Sequence, residues 1–551
     1  MRSKIVFVGL ILSIGAFSLS LFSCSQKESP TQLVILSTTD IHGHVFPWDY
    51  YADVPQERYS MLKAASLVDE LRQTYPHNLL LDAGDWLQGN PFAEFFAKVD
   101  TISAYPLLTV AEKMNYDAIV LGNHEFNFGI ELLNKRLDET DVPFLGANIR
   151  HSDSGEAAYK PYILTEIDGF KVAVIGLTTP GSAIWDRPRV ENQLEFTDGV
   201  DAAVYYTESV REQGAEVVII LAHSGFETGS SYTSETVPVE NFGQLIAENV
   251  PGVHALILGH SHRVIDDMTL KTNQNPNGVA VTMAGRWASH VGLTELLLSR
   301  NEQGEAIVSF GRNEVLPVED FDVHAEIASH IEHEHERVRE YVNEPLAVTE
   351  SVWDASDARI YDRPIIHLIH YVQREVTGAD ISLASVFNPS ASFGPGAISR
   401  GDLARIYPYE NTLFKKRITG KVLREILEFS ARFFEQTEPG EIPQSAGITP
   451  GFNYDIAAGV HYEMDISQPV GNRIKNLRFN DRPVRDDQSF TLAVNSYRAV
   501  GGGDYHMLAN AEIIREYDQS VRSMIEEFLI ERESIEPEDI FTQYWRILHL
   551  P

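Results

Sequence analysis

Seven short apolar runs alternate with helix-like segments between residue 33 and about residue 300, and this alternation constrains the fold more than any other feature. The runs are continuously apolar, so we expect both of their faces to be buried. Between the first two runs, Met61, Ala64, Ala65, Val68 and Leu71 lie on one face of a predicted helix. Strands separated by helices are typical of an α/β domain whose sheet is covered on both faces. The runs are LVILSTT (33–39), NLLLDAG (78–84), DAIVLGN (117–123), FKVAVIGLT (170–178), EVVIILAH (216–223), HALILGH (254–260) and GVAVTMAG (278–285).

Polar side chains cluster where five of these strands end, which is where α/β sheets usually place their sites. A single Asp or His at a strand end is more often a cap or a turn residue, but five such clusters are hard to obtain by chance. Oxygen and imidazole ligands without thiolates suit Zn, Mn, Fe or Co in a hydrolytic site. The set is too large for one tetrahedral ion and fits two ions that share a carboxylate. The predicted ligands are Asp40, His42, Asp85, Asn123, His223, His260 and His262, and His124 lies in the same strand-end clusters.

The composition restricts the partners of the protein. Lys and Arg number 44 against 79 Asp and Glu, which gives a formal net charge of -35. Such a surface repels nucleic-acid polymers, so we expect none as a partner. A small anionic substrate stays compatible, because a bound metal reverses the local charge. We expect a monomer. Cys24 is the one cysteine of the sequence, so no intrachain disulfide can form.

The N-terminus is predicted to be a targeting segment. Two cations precede an uncharged apolar run that ends at Leu21-Phe22-Ser23-Cys24, a pattern typical of an export signal. The ending resembles a bacterial lipoprotein signal, so residues 1–24 are predicted to be a signal segment whose cleavage after Ser23 leaves a lipidated Cys24, with residues 25–32 as a tether. This predicts a lipoprotein on the periplasmic side of a membrane. A retained transmembrane helix is the alternative, because the run just reaches the necessary length.

The motifs TTDIHGH, GDWLQGNP, LGNHEFNFG, LAHSG and LGHSH follow one another over about 220 residues. Together they resemble the calcineurin-like metallophosphoesterase family, in its 5′-nucleotidase-type branch of exported two-domain enzymes. The resemblance implies a sandwich of sheets flanked by helices over residues 33–320, a C-terminal α/β nucleotide-binding domain over residues 346–551, and two divalent ions. One ion would be held by Asp40, His42, Asp85 and His262, and the other by Asp85, Asn123, His223 and His260.

By the same resemblance, His124 is the catalytic histidine that stabilises or protonates the departing oxygen; a neutral histidine that only holds its loop is the alternative. Typical 5′-nucleotidases carry an Asp three residues later, whereas this chain has Asn127. A neutral amide cannot raise the imidazole pKa as a carboxylate does. We therefore expect the acid step, in which Asn127 is the second catalytic residue, to differ from that of 5′-nucleotidases. His262 also stands where many family members have Gln, and His is a competent ligand.

Residues 321–345 are highly charged with a thin apolar stripe, which predicts a partly exposed helix linking the domains. Its histidines are interleaved with acids, which favours a solvated helix face over a metal site. In the second domain, a helix is predicted after a capping Thr419, and another over residues 512–533. The histidines of the linker are His324, His330, His333 and His335.

The second domain resembles the C-terminal domain of the same exported enzymes, and best the branch acting on 2′,3′-cyclic nucleotides and 3′-nucleotides. The matching stretches are ADISLASVFN, YPYENTL, GFNYDIAAGVHYEMDISQPVGNRIKNL and AVNSYRAVGGGDY. The arginine-bearing N-G-G-G-I-R stretch of 5′-nucleotidases is replaced by Phe387-Asn388-Pro389-Ser390. In this family two aromatic rings sandwich the base, and glycines let the backbone approach the nucleoside closely. The residues so implied are Phe452 (or Tyr454), Tyr497, Arg498, Gly501, Gly502, Gly503 and Asp504.

The sequence thus predicts an exported two-metal phosphoesterase that hydrolyses 2′,3′-cyclic nucleotides and 3′-nucleotides to nucleoside and phosphate. The metals are predicted to be Zn, Mn, Co or Fe. A 5′-nucleotidase or UDP-sugar hydrolase is the alternative within the same class. A lipoprotein that binds metal or nucleoside without catalysis is the alternative from a different class.

Overall fold

A computed structural model of the chain describes residues 29–232, 234–409 and 411–550. The predicted signal and the lipidation site Cys24 lie outside the described residues, so both stay predictions. Within the described ranges, no helix has the length and apolarity needed to cross a membrane. Buried apolar side chains form three clusters between residues 33 and 342 and a fourth between residues 346 and 547.

Two six-stranded mixed sheets form the centre of the first domain. Their facing sides make one core, in which Leu33 and Ile35 of one sheet join Val172 and Val174 of the other. In spatial order the first sheet contains Ala306–Pro317, His290–Arg300, Thr31–Thr38, Asn78–Asp82, Ala118–Val120 and Phe144–Leu145. The second contains Val264–Leu270, Val279–Ala284, Ala255–Leu258, Val217–His223, Phe170–Thr178 and Tyr162–Ile167.

Helices cover the outer faces of both sheets, as the continuous apolar strands predict. The helix predicted between the first two strands is present as Met61–Thr74, and the Ser60 side chain caps it by accepting from the Lys63 amide. The fold class predicted from the sequence, a sandwich of helix-flanked sheets, is confirmed. The main helices of this domain are Met61–Thr74, Pro106–Lys113, Ile130–Leu137, Gly199–Glu212 and Gly243–Asn249.

The linker consists of two helices, Ala325–Ser329 and Glu332–Asn343, that pack onto the first domain through Ile327, Val338 and Val342. The prediction that its histidines are all solvated is wrong for His335. Its ring is buried, stacks on Phe46 at 4.2 Å and contacts the Tyr50 hydroxyl at 2.6 Å. Burial lowers the pKa of His335 to about 4, so it is a neutral core residue.

The second domain is built on a five-stranded sheet packed against helices. Thr419 caps the helix Gly420–Ala431 as predicted, by accepting from the Val422 amide. The helix predicted over residues 512–533 is wrong in its first half, where Glu512–Ser520 is a strand at the sheet edge and Val521–Arg532 alone is helical. The sheet order is Asp455–Ala458, Ile381–Ser385, Ser489–Asn495, Thr412–Thr419 and Glu512–Ser520, and further helices are Pro364–Thr377 and Arg400–Ile406.

Candidate metal centre and nucleotide groove

Left-handed backbone conformations bring the predicted metal ligands together. Non-glycine residues seldom adopt positive φ, and such strain concentrates at functional sites. This conformation turns the chain sharply after a strand. The side chain of the residue that adopts it is then directed into the space between the strand ends. Five of the seven predicted ligands adopt it, at φ of 52° for Asp40, 48° for His42, 68° for Asp85, 71° for His260 and 57° for His262.

Three overlapping groups of side chains have ligand atoms within 4.8 Å of one another. Asp40, His42 and His262 form the first, Asp40, Asp85 and His223 the second, and His42, Asp85 and His124 the third. The Nε2 atoms of His223 and His262 lie 3.1 Å from Asp85 Oδ2 and 3.3 Å from Asp40 Oδ1. Asp85 belongs to the second and third groups and Asp40 to the first and second, so both carboxylates lie where two groups meet, as a carboxylate shared by two ions must.

Backbone carbonyls fix the orientation of two of these imidazoles. The Nδ1–H of His42 donates to the Gln88 carbonyl at 2.8 Å, and that of His223 donates to the Ala83 carbonyl at 2.6 Å. Each ring therefore presents the lone pair of Nε2 to the centre, as metal-binding histidines do. The Nε2 of His42 lies 3.1 Å from Nε2 of His262, a separation that needs a cation or a proton between them. The donor set therefore fits divalent cations.

The remaining two predicted ligands lie at the edge of the cluster. The Asn123 Oδ1 lies 3.1 Å from Nε2 of His223. His260 belongs to none of the three groups among the described residues, although its ring lies 5.1 Å from that of His223. Its Nε2 contacts the Glu240 carboxylate at 2.9 Å, which leaves Nδ1 as its metal-binding atom.

Buried negative charge dominates the electrostatics of the centre. Burial raises the pKa of Asp85, but the charges of His223 and His124 outweigh it and hold that pKa well below its usual value. Burial lowers the pKa of His223, whereas Asp85 and Asp40 raise it, to about 10. A cation must displace the proton on His223 Nε2 in order to bind that nitrogen, so metal affinity decreases at low pH.

His124 lies beside this cluster and leads into a chain of hydrogen bonds. Its backbone N–H donates to Asp85 Oδ1 at 2.9 Å, and its ring lies 5.2 Å from that of His42. The Nδ1 atom lies 2.6 Å from Oδ1 of Asn127. The Asn127 Nδ2 in turn donates to both oxygens of Asp186, at 3.1 and 3.0 Å. Asn127 thus contacts the predicted catalytic histidine and links it to the Asp186 carboxylate, to which the sequence analysis assigns no role.

Two residues predicted to bind the nucleotide are buried, and the structure corrects their roles. Tyr454 is 0% exposed and stacks on Phe433 at 4.8 Å in the domain core, so Phe452, at 40% exposure, is the ring open to a base. Arg498 is 2% exposed and pairs with Asp455 at 2.7 Å. It also donates to the carbonyls of Phe452 and Gly502, so its buried guanidinium joins the loop of Phe452 to the glycine-rich loop.

The glycine-rich loop packs against its own domain. A Cβ on Gly502 would lie 2.6 Å from the ring of Tyr497, and one on Gly503 would lie 2.4 Å from the Arg498 guanidinium. These glycines therefore make room for protein side chains, and a contact of Gly501–Gly503 with nucleoside stays a prediction. Asp504 is exposed and pairs with Arg432 at 3.3 Å.

Comparisons with known proteins identify both domains. Residues 33–264 match the calcineurin-like phosphoesterase family, and residues 345–510 match the 5′-nucleotidase C-terminal domain. The chain is a calcineurin-like metallophosphoesterase with a 5′-nucleotidase C-terminal domain. This confirms the family, the fold and the hydrolase class predicted from the sequence, and it implies divalent metal ions.

Individual relatives of this metallophosphoesterase align over nearly its whole length. A 2′,3′-cyclic-nucleotide 2′-phosphodiesterase/3′-nucleotidase from Haemophilus influenzae is 29% identical over 90% of this chain and 85% of its own length. The trifunctional nucleotide phosphoesterase protein YfkN from Bacillus subtilis is 29% identical over 92% of this chain, which spans 38% of that longer protein. A Staphylococcus aureus protein solved as a candidate 5′-nucleotidase has a TM-score of 0.78 and 26% identity, covering 94% of this chain and 99% of its own.

Sequence reasoning missed two sets of residues in this metallophosphoesterase. Glu125 is buried, and its carboxylate accepts from the backbone N–H groups of Gly122 and Trp86, both at 2.6 Å, so it holds the loops of Asp85 and Asn123 together. Burial raises the pKa of Tyr409. The neighbouring Tyr497 raises it further, and the charge of Arg286 lowers it. Arg286 reaches His262 Nδ1 at 3.2 Å. Arg286 lies in the stretch GRWASHVG (residues 285–292) and Tyr409 lies in YPYENTL, but neither stretch predicts these contacts.

Proposed function

We propose that the protein hydrolyses 2′,3′-cyclic nucleotides and 3′-nucleotides to nucleoside and phosphate with two divalent ions. The observation that carries the catalytic part is the convergence of Asp40, Asp85, His42, His223 and His262 in overlapping groups whose ligand atoms lie within 4.8 Å of one another. The relative from Haemophilus influenzae, named for these substrates and aligned over 90% of this chain, supports the choice of nucleotide.

The bound ions would polarise the phosphoryl oxygens and offset the negative charge that develops in the transition state. Asp85 would contact both ions, and Glu125 keeps its loop rigid. His124 would contribute a proton through Nε2, because Nδ1 is engaged by Asn127. The two hydrolyses release first the ribose 2′ oxygen and then the 3′ oxygen, and both are poor leaving groups that profit from protonation.

The base would bind in the second domain, between Phe452 and Tyr497. Stacking on an aromatic ring contributes roughly 1–3 kcal/mol per base and tolerates different bases. This arrangement leaves base identity a minor determinant and makes the distance from the base to phosphorus the major one. The 2′/3′ edge and the 5′ arm of a nucleoside present phosphorus from different sides, and the absent arginine stretch and Asn127 both argue against the 5′ branch.

We further propose that the enzyme acts outside the cytoplasm as a lipoprotein anchored at Cys24. The isolated cysteine after Leu21-Phe22-Ser23 motivates this location. Labelled fatty acid should appear on the wild-type chain and not on Cys24→Ser, which should leave the membrane fraction or keep its signal, with unchanged turnover. Label on the variant would contradict the anchor.

The deciding experiment compares kcat/KM for 2′,3′-cyclic AMP, 3′-AMP and 5′-AMP at saturating Mn or Co, with UDP-glucose as a further substrate. We expect the first two to exceed 5′-AMP and a chelator to abolish all turnover. A preference for 5′-AMP or UDP-glucose would replace the substrate proposal by the alternative in the same class. Metal binding without release of phosphate from any of them would favour the non-catalytic alternative.

A further inference from the structure

We propose that Asp186 is a positioning residue for the acid step: its buried carboxylate acts through the Asn127 amide to hold the His124 ring with Nδ1 protonated and Nε2 presented to the leaving group. This inference rests on the proposed role of His124 in nucleotide hydrolysis. The sequence suggests that Asn127 removes the carboxylate partner of the histidine. The structure instead places the Asp186 carboxylate on the far side of the Asn127 amide, so that it contacts His124 only through Asn127.

The hydrogen-bonding capacity of each group fixes the order of the chain. An ionised carboxylate only accepts, so the Asn127 nitrogen must face Asp186, at 3.0 and 3.1 Å. The Asn127 oxygen then faces His124, and the 2.6 Å contact with Nδ1 is a hydrogen bond only if Nδ1 carries the proton. The opposite amide orientation would set an oxygen against the carboxylate and an NH₂ against Nδ1–H. Asp186 therefore selects one tautomer of His124.

The fold holds Asp186 rigidly for this purpose. It lies between two short helical segments, Ser182–Trp185 and Arg187–Val190, and its backbone N–H donates to the Ser182 carbonyl at 3.1 Å. The side chain is 2% exposed, and the Arg189 guanidinium donates to Oδ1 at 3.2 Å. Among the described residues, the hydrogen-bond partners of this carboxylate are one amide and one guanidinium, and burying a charge with so few partners costs folding free energy.

The chemical consequence concerns the departing ribose oxygen. The oxygen of water bonds to phosphorus while the bond from phosphorus to the ribose oxygen breaks, and its electron pair stays on that oxygen. The ribose oxygen takes the proton from Nε2 of His124, the proton lost by water passes to solvent, and His124 is protonated again from solvent. Asp186 fixes the orientation of the Asn127 amide, and the amide in turn fixes the His124 ring with Nε2 directed at the departing oxygen.

The test compares two leaving groups in Asp186→Asn, which keeps the shape of the side chain. With the nucleotide that the wild-type protein hydrolyses fastest, we expect kcat to decrease about 10- to 100-fold, the usual scale for an impaired acid, with little change in KM. With p-nitrophenyl phosphate we expect less than about a 3-fold decrease, because p-nitrophenolate departs without a proton. Glu191→Gln removes an exposed charge nearby and should leave both rates unchanged.

An exchange variant separates positioning from folding. Asn127→Asp alone places two carboxylates against each other and should lose activity. The double variant Asn127→Asp/Asp186→Asn restores one amide and one carboxylate in the opposite order, and we expect it to recover nucleotide turnover above either single variant. Equal losses on both leaving groups, unchanged kcat in Asp186→Asn, or no recovery in the double variant would overturn the proposal. A 5′-nucleotide as the best substrate would change the proposed function and leave this test intact, whereas no turnover of any nucleotide would overturn both.

Discussion

At the scale of single residues, Asp85 is the side chain on which both predicted ions depend. It lies in two of the three ligand groups and is buried to 1% exposure. We expect Asp85→Ala to lose activity and both ions, because Asp85 is predicted to contact both ions whereas Asp40 is predicted to hold only one. Metal analysis of the purified variant measures this, with Glu112→Ala, an exposed helix position, as the matched control. Two bound ions in an active Asp85→Ala protein would remove Asp85 from the centre.

His124 is predicted to differ from the ligands in what its loss removes. Its Nδ1 is bonded to Asn127, and its proposed role lies in the departure of the ribose oxygen. For His124→Ala we expect both ions to stay bound while kcat decreases by about 100-fold or more, the usual scale for a lost general acid. Metal content and turnover are measured on the same sample. If metal content decreases in parallel with kcat, His124 is a ligand, as its membership of the third group with His42 and Asp85 allows.

At the scale of secondary structure, His254 precedes the strand Ala255–Leu258 and extends its pairing with the strand Val217–His223. The His254 N–H donates to the Val218 carbonyl at 2.9 Å, and the Val218 N–H donates to His254 Nδ1 at 3.1 Å. The second bond requires a neutral ring. Burial and the charge of Arg211 lower the pKa of His254 from 6.5 to about 4. Because the unfolded chain binds this proton more tightly, the stability that neutral His254 contributes is present above pH 6.5 and is lost as pH falls toward 4.

This pKa shift predicts a difference between the wild-type protein and His254→Asn, whose side chain can accept the same bond but does not titrate. Between pH 6.5 and 4 the wild-type free energy of unfolding should decrease by up to about 3 kcal/mol more than that of the variant. Urea unfolding of the first domain in chelator at several pH values measures it, since the chelator removes the separate effect of metal release. Parallel pH profiles would contradict the low pKa.

The elements that the sequence predicted best are those with one local cause. The continuous apolar strands and the polar residues at their ends follow from local patterns, and Thr419 caps its helix because the cap is a local hydrogen bond. The strand Glu512–Ser520 was missed because its pairing with Thr412–Thr419, about 100 residues away, decides its conformation. Long-range contacts of this kind are absent from the local pattern.

The difference between local patterns and long-range contacts also explains the errors in the candidate site. Tyr454 and Phe452 are close in sequence, and only the core contact of Tyr454 with Phe433 separates the buried ring from the exposed one. Arg498 was assigned to substrate because its neighbour Tyr497 matched a binding motif, whereas its partner Asp455 comes from a different strand. Asp186 lies 59 residues from Asn127, so its contact became visible only in three dimensions.

At the scale of the whole molecule, the predicted site is divided between the domains. The predicted metal ligands all belong to the first domain, and the predicted base-binding rings of Phe452 and Tyr497 belong to the second. Ion pairs join the two sides: Arg187 contacts Glu516 at 2.5 Å, and buried Arg522 pairs with Glu94. In the proposed binding mode a nucleotide bridges both domains to react, whereas a small phosphate ester needs the first domain alone.

This division predicts that Tyr497→Ala affects substrates according to whether they carry a base. Loss of a stacking ring worth roughly 1–3 kcal/mol should lower kcat/KM about 5- to 150-fold for all nucleotides by a similar factor. The value for p-nitrophenyl phosphate should stay within about 2-fold of wild type, because that substrate has no base to stack. Tyr205→Ala, which removes an exposed tyrosine of the first domain, is the matched control. A Tyr497→Ala variant that loses both activities equally would show that the ring supports the fold of the groove. Selective loss for one base would show that the groove reads base edges, which stacking alone does not do.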